Sequence, residues 1–348
     1  SLDANDEAVP GMAESWDVSD DQKTYTFHLR KGAKWSNGEE VTAEDFVFAW
    51  NQHFNARTGA PYASTWMTKI AGAEDIYTAT AAKVDPDNEK SDYKMAEADI
   101  PAYIEEHAGW KAVDKYTFQV TFTGPFQYAV VLMAFPSFFP VNQKAYEAAG
   151  GNKKYGTDAD KLAYNGPFTI TSWVHEDSIV LEKNPDYWNA ENIKLDKITM
   201  RMISQENTAI NEFNNGSIDM IGLTGDNIAQ FENAQGFDDG GAWYLEFNSQ
   251  EKPYNNAKVR KALTLGVDAQ KMVDTIVQND SKVATTFTPP AVAQGAFTEY
   301  CGDIFQHVTN NDYSEAKALL EEGLKEEGLT LAEFSPELLC DDTSAAKQ

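Results

Sequence analysis

The side chains with the widest chemical reach in this sequence are five histidines, two cysteines and a large excess of carboxylates. His28, His53, His107, His175 and His307 are scattered, and none forms a His-x-x-x-His or comparable pair that could seat a metal on one helix face. Cys301 and Cys340 have no metal-ligand spacing and are too few for a disulfide framework. They either form one bridge in an exported protein or stay as two free thiols. A seryl hydrolase needs its nucleophile on a tight Gly-x-Ser-x-Gly elbow, and a phosphate-binding loop needs Gly-x-x-x-x-Gly-Lys-Ser/Thr; neither motif occurs. With 55 Asp and Glu, neighbouring carboxylates arise everywhere and carry no weight as acid–base dyads. Asp85-Pro86-Asp87-Asn88-Glu89 has the composition of a calcium loop, yet Lys90 stands where an EF-hand needs Gly and Ala96 where it needs the closing Glu. That run reads as a surface loop. The residues therefore predict no catalytic group, no metal site and no cofactor.

Charge excludes a further class. Lys and Arg total 28 against 55 acids, a net charge of −27 whose field repels nucleic acid and anionic lipid. A chain of 348 residues exceeds a typical single core and predicts two or three domains, and 42% hydrophobic residues with 12% aromatics suffice to pack them. No apolar run reaches the roughly 18 residues that span a bilayer, and Ser1 opens no charged-then-apolar signal sequence.

The elements that position the polar groups are plainest between Thr24 and Trp50. Tyr25, Phe27 and Leu29 alternate with polar residues, the period of a strand with one buried face. Trp35-Ser36-Asn37-Gly38 follows as a turn, and Thr42-Ala43-Glu44-Asp45 as a helix start whose apolar face continues through Phe46, Val47 and Trp50. Tyr116, Phe118, Val120 and Phe122 restore the strand alternation. Asn165-Gly166-Pro167-Phe168 turns into a strand, Ile179–Leu181 makes another, and Asn184-Pro185-Asp186-Tyr187-Trp188 breaks the chain. A strand from Ile198 to Ile203, a helix from about Asn207 to Asn214 and the Gly216–Met220 element read as a strand, helix, strand unit. Trp243–Asn248 reads as a further apolar strand, leading to a helix over Ala257–Leu265.

These motifs, with Pro10-Gly11-Met12-Ala13-Glu14-Ser15-Trp16 before them and Val259-Arg260-Lys261-Ala262-Leu263 after, resemble in order and spacing the oligopeptide- and dipeptide-binding proteins of ABC importers, family 5 of the extracellular solute-binding proteins. The resemblance covers nearly the whole chain and is weakest near residues 74–99. It implies an α/β fold of the periplasmic-binding-protein type (type II, cluster C) with mixed sheets. It also implies a first lobe of two subdomains and an incomplete second lobe: residues 1–16 as a shortened opening segment, 17–142 as an extra subdomain, 143–240 as the main subdomain and 241–348 as the start of the second lobe. An incomplete second lobe implies weak or absent ligand binding by this chain alone.

Carried over residue by residue, the resemblance places six residues against a ligand. Tyr62 falls at a ligand-facing tyrosine. Phe135 falls at a cleft position that is histidine in some members, so a polar contact is lost. Gly222, Leu223 and Thr224 match a cleft-lining segment that is tyrosine and asparagine elsewhere, and Glu246 matches an acidic position near the ligand. The implied function is non-enzymatic: an extracytoplasmic receptor that captures oligopeptides in an inter-lobe cleft and delivers them to membrane permease subunits. It would act as a monomer, lipid-anchored on the outer face of the membrane or in the periplasm. A same-family receptor for nickel, heme, glutathione or a pheromone peptide is the alternative, and a secreted hydrolase the rival from another class.

Overall fold

The computed structural model describes residues 1–3, 7–83, 92–93, 95–237, 239–284, 288–289 and 313–340. The residues of the calcium-like run from 85 to 89, together with Cys301 and His307, lie outside them. Contacts divide the chain into two units, Ser1–Ile203 and Ser204–Gln348.

In the first unit β1 (Ala13–Val18), β2 (Thr24–Leu29), β3 (Trp110–Asp114) and β4 (Thr117–Thr121) form an antiparallel sheet in the order β1-β2-β4-β3. The alternation in β2 and β4 sends Tyr25, Phe27, Leu29, Phe118 and Val120 to one face, where all are buried, and Phe27 lies opposite Phe118. On that face rests α1 (Ala43–Phe54), whose Trp50 is fully buried with its ring centroid 5.2 Å from Phe118, 5.8 Å from Trp110 and 5.0 Å from Phe138. Each such ring contributes roughly 1.5–3 kcal/mol by leaving water. The core is completed by α2 (Ala73–Thr80) and α3 (Ile100–His107), which bury Ile76, Ile100 and Ile104.

The turn before α1 is fastened to its N-terminus. Gly38 adopts φ +86°, a backbone state open to glycine, and its N–H donates to Trp35 O at 2.9 Å. The buried Asp45 carboxylate then accepts from Thr42 N–H at 2.8 Å, Thr42 Oγ1 at 3.2 Å and Trp35 Nε1 at 3.3 Å. A second clasp joins distant motifs. Arg30 lies 3.8 Å over the Trp188 ring while its Nε donates to Gly11 O at 2.8 Å and its Nη1 to Glu14 at 3.1 Å. Buried Asn184 donates to Gly166 O at 2.9 Å, tying the Asn-Pro break to the Asn-Gly-Pro turn. Beyond α4 (Gln143–Ala149), β5 (Phe168–Val174), β6 (Ser178–Lys183) and β7 (Lys197–Arg201) form an antiparallel meander.

The second unit contains α5 (Glu206–Asn214), α6 (Ala257–Leu265) and α7 (Tyr313–Glu326). Packing of α6 on α7 is close enough that a Cβ at Gly323 would stand 2.8 Å from Val259 Cγ2. Ion pairs Lys258–Glu322, Lys258–Glu326 and Lys261–Glu315 flank that contact.

Three expectations need correction. The sheets are not mixed: every pairing among the described strands is antiparallel. The Gly216–Met220 element forms no strand, so the strand, helix, strand unit does not close. Trp243–Asn248 is irregular too, with Trp243, Tyr244 and Leu245 exposed by 94%, 62% and 59%. The physical reason is common to all three. An apolar alternating stretch becomes a strand only when a neighbouring edge takes its N–H and C=O groups, and parallel pairing needs a crossover between such edges. Among the described residues no strand lies beside either segment.

Candidate functional site

The first unit brings Tyr62 and Phe135 together. Tyr62 is the N-cap of the short helix Ala63–Trp66, which turns its ring outward and leaves it 48% exposed. Phe135 precedes the turn Pro136–Phe138 and meets the Tyr62 ring edge-on at 4.9 Å. Half-buried Trp66 lies 6.2 Å from Phe135 and 6.1 Å from buried Phe138, so the pair is rooted in the core.

Gly222, Leu223 and Thr224 belong to the second unit and follow α5. The Thr224 N–H and hydroxyl both donate to one carboxylate, Glu206 Oε1 at 2.7 Å and Oε2 at 2.8 Å. Desolvation raises the Glu206 pKa, but the hydrogen bonds from Thr224 and Asn227 outweigh it and hold the group below the ordinary glutamate range. Thr224 is thereby spent on Glu206, while residues 218–223 make no backbone–backbone hydrogen bond among the described residues. The next turn is tied as well: Asp226 accepts from the Gln278 side chain. Glu246 is exposed in the irregular 241–248 stretch, so it has no burial cost to repay.

Sequence reasoning missed Glu206 and Trp66. Glu206 is one acid among 55 and has no motif around it; its partner Thr224 lies 18 residues away. Trp66 has a local signal, following Tyr62 by one helical turn, but its ring contacts are long-range.

The described histidines are held in structural surroundings. His28 pairs with Asp17 at 2.7 Å and His175 with Asp158 at 2.8 Å. His107 Nδ1 lies 2.9 Å from Tyr103 O, and its ring stacks on Tyr103. His53 is buried, and desolvation lowers its pKa to about 4. Cys340 is free and exposed. Among the described residues no group of three or more His, Cys, Asp or Glu could hold a metal ion. Two open depressions, of about 400 and 430 Å³, are lined by Asn37, Glu39, Lys144, Ala145, Ala148, Ala149 and residues 160–162 and by the α6–α7 groove, and neither is lined by Ser, Cys or His. No described helix is long and apolar enough to cross a membrane.

The chain is similar to the dipeptide-binding protein DppE of Bacillus subtilis (strain 168), 33% identical over 332 residues, and to the oligopeptide-binding protein OppA of the same organism, 34% identical over 346. Those alignments take in 94% and 97% of this chain but 56% and 58% of the relatives, so it spans little more than half their length. Peptide-bound OppA of Listeria monocytogenes matches with a TM-score of 0.76 at 30% identity, over 100% of this chain and 65% of that one. The substrate-binding domain of an oligopeptide ABC transporter from Bacillus anthracis str. Ames matches at 0.73 and 33%, over 92% and 59%. The shared architecture is a mixed α/β fold, seen over part of those structures, and the family is one of solute-binding proteins rather than enzymes. The description "Bacterial extracellular solute-binding proteins, family 5 Middle" matches residues 7–347, and the chain belongs to that family.

Proposed function

We propose that this chain is the ligand-capturing part of an extracytoplasmic receptor of an ABC importer, binding oligopeptides and delivering them to membrane permease subunits. The observation that carries the reading is the 218–223 stretch, whose backbone has no backbone partner among the described residues and whose end is tied down by Glu206 through Thr224. A receptor indifferent to side chains must offer its own N–H and C=O groups to the ligand backbone, and a tethered stretch does so with little ordering cost. The Glu246 carboxylate of the same unit, exposed to solvent, supplies a negative charge for a peptide's amine.

The finer expectations belong to the same proposal. They are the type II, cluster C architecture, with residues 17–142 and 143–240 as subdomains of a first lobe and 241–348 opening a second. The site of action is the outer face of the membrane through a lipid anchor, or the periplasm.

The test is calorimetric titration of the full-length protein with trialanine and with its backbone N-methylated analogues, and chromatography of each mixture afterwards. Binding of trialanine, weakened at least about tenfold by N-methylation and without cleavage, is expected. Cleavage products, or equal affinity for the N-methylated peptides, would refute the reading.

A further inference from the structure

An asparagine followed by glycine is open to ring closure on itself, because glycine leaves the next backbone nitrogen unshielded. The sequence holds three such pairs: Asn37-Gly38, Asn165-Gly166 and Asn215-Gly216. Space does not separate them, since a Cβ at Gly38, Gly166 or Gly216 would meet nothing within 4 Å. Hydrogen bonding does. Gly38 N–H donates to Trp35 O at 2.9 Å, while the Asn37 side chain accepts from Glu39 N–H at 3.1 Å and donates to Asn142 at 3.2 Å. Gly216 N–H donates to Phe213 O at 3.0 Å, and Asn215 Oδ1 accepts from Ser217 N–H at 3.0 Å. Among the described residues neither the Asn165 side chain nor the Gly166 N–H makes a hydrogen bond.

The residues on either side of that free pair are fastened. Ser36 N–H donates to Tyr164 O at 2.7 Å, and Tyr164 N–H donates to Ser36 Oγ at 3.0 Å. Beyond it, buried Asn184 gives its Nδ2 to Gly166 O and its N–H to Pro167 O, each at 2.9 Å.

We infer that Asn165 is a site of spontaneous deamidation in the folded protein, well ahead of Asn37 and Asn215, and that the isoaspartate formed there loosens the Asn184 clasp. Gly166 N loses its proton to solvent and its electron pair forms a bond to Asn165 Cγ. The Cγ–Nδ2 bond breaks, and the nitrogen leaves as ammonia with a proton from water. One water then opens the cyclic imide. Attack at Cγ restores the backbone and leaves aspartate; attack at the Asn165 main-chain carbonyl leaves isoaspartate, with Cγ now in the main chain. At Asn37 and Asn215 the same closure must first release hydrogen bonds on both reacting groups. The extra backbone carbon shifts Gly166 O relative to Asn184, whose buried Nδ2 has no water to turn to.

The experiment incubates the full-length protein at mildly alkaline pH, folded and in urea, and follows the three pairs by peptide mapping with mass spectrometry and isoaspartyl methyltransferase labelling. In the folded protein Asn165 converts about tenfold or more faster than Asn37 or Asn215, and in urea the three rates fall within about threefold. The isoaspartate fraction melts about 4 °C or more below Asn165→Asp, which gains the charge but keeps the normal backbone. Asn165→Gln, whose longer side chain closes its ring poorly, and Gly166→Ala, at a position without a positive φ, each suppress the conversion. The comparison of sites within the wild-type protein stands even where a variant folds poorly. An intact Asn165, or conversion of Asn37 or Asn215 at an equal rate, overturns the assignment. So does a lead of Asn165 that persists undiminished in urea, where the fold no longer sets the rate. An isoaspartate form that melts with Asn165→Asp overturns the effect on the clasp.

Discussion

Burial of His53 makes stability depend on pH in a window where few other groups titrate. The ring is 8% exposed, lies against Phe54 and Phe138 at 4.8 and 5.9 Å, and leaves Nε2 buried without a partner among the described residues. Desolvation lowers its pKa from 6.5 to about 4. An imidazole in the unfolded chain therefore binds a proton on the way down from 6.5, whereas the folded protein refuses it until near 4. The stability that neutral His53 lends is whole above the unfolded value and is lost as pH falls toward the folded one. Each unit of separation is worth about 1.4 kcal/mol, and the part falling between about pH 7 and about pH 5 comes to about 2 kcal/mol. Urea unfolding of the first unit, followed by the fluorescence of buried Trp50 and Trp110, measures it. The wild-type protein should lose about 2 kcal/mol more over that interval than His53→Leu, a comparison in which the other histidines cancel. A pH dependence in His53→Leu equal to that of wild type would refute the reasoning.

Asp45 titrates with the opposite sign: desolvation raises its pKa, so its ionisation costs the fold stability as pH rises through the acidic range. Asp45→Ala leaves Trp35 Nε1 and Thr42 N–H without their acceptor and should cost about 2–4 kcal/mol in urea unfolding, with Asp45→Asn much milder. Gly323→Ala forces a methyl against Val259 and should destabilise the second unit by about 1–3 kcal/mol, read from helix melting by circular dichroism; Gly323→Leu should be worse. Glu206→Ala frees Thr224 and should weaken peptide binding by about tenfold with little change in helicity, whereas Glu206→Gln, which keeps an acceptor, should fall between.

What the sequence makes legible is what repeats locally. The Tyr25, Phe27, Leu29 alternation needs no distant partner to be read, and the sheet face it builds is the one expected. Its limits show in Gly216–Met220 and Trp243–Asn248, which carry strand-like residues and form no strand. Propensity describes a side chain's fit to a pleated surface, and whether that surface exists depends on a neighbour that the local pattern does not encode. The motif residues that recur in the family are legible as words without their syntax. Trp35 and Asp45, ten positions apart, prove to be one hydrogen bond, and Arg30 and Trp188 one stacked pair.

The candidate site illustrates the same limit more sharply, because its parts were found by resemblance and their physical coupling was not. Tyr62 and Phe135 are separated by 73 positions, yet their rings touch, and the contact turns two separate residues into one rooted surface. Thr224 looked like a ligand contact, yet both of its donors are taken by a glutamate with no distinguishing neighbourhood in the sequence. The consequence for binding is a division of labour: Thr224 fixes the end of the stretch, and the unpaired backbone before it is left to face a ligand. Replacing Thr224 with Val should then act like loosening Glu206, weakening trialanine and its derivatives by a similar factor. A Thr224→Val variant that weakened the trialanine derivatives by unequal factors, or left them all unchanged, would refute that assignment.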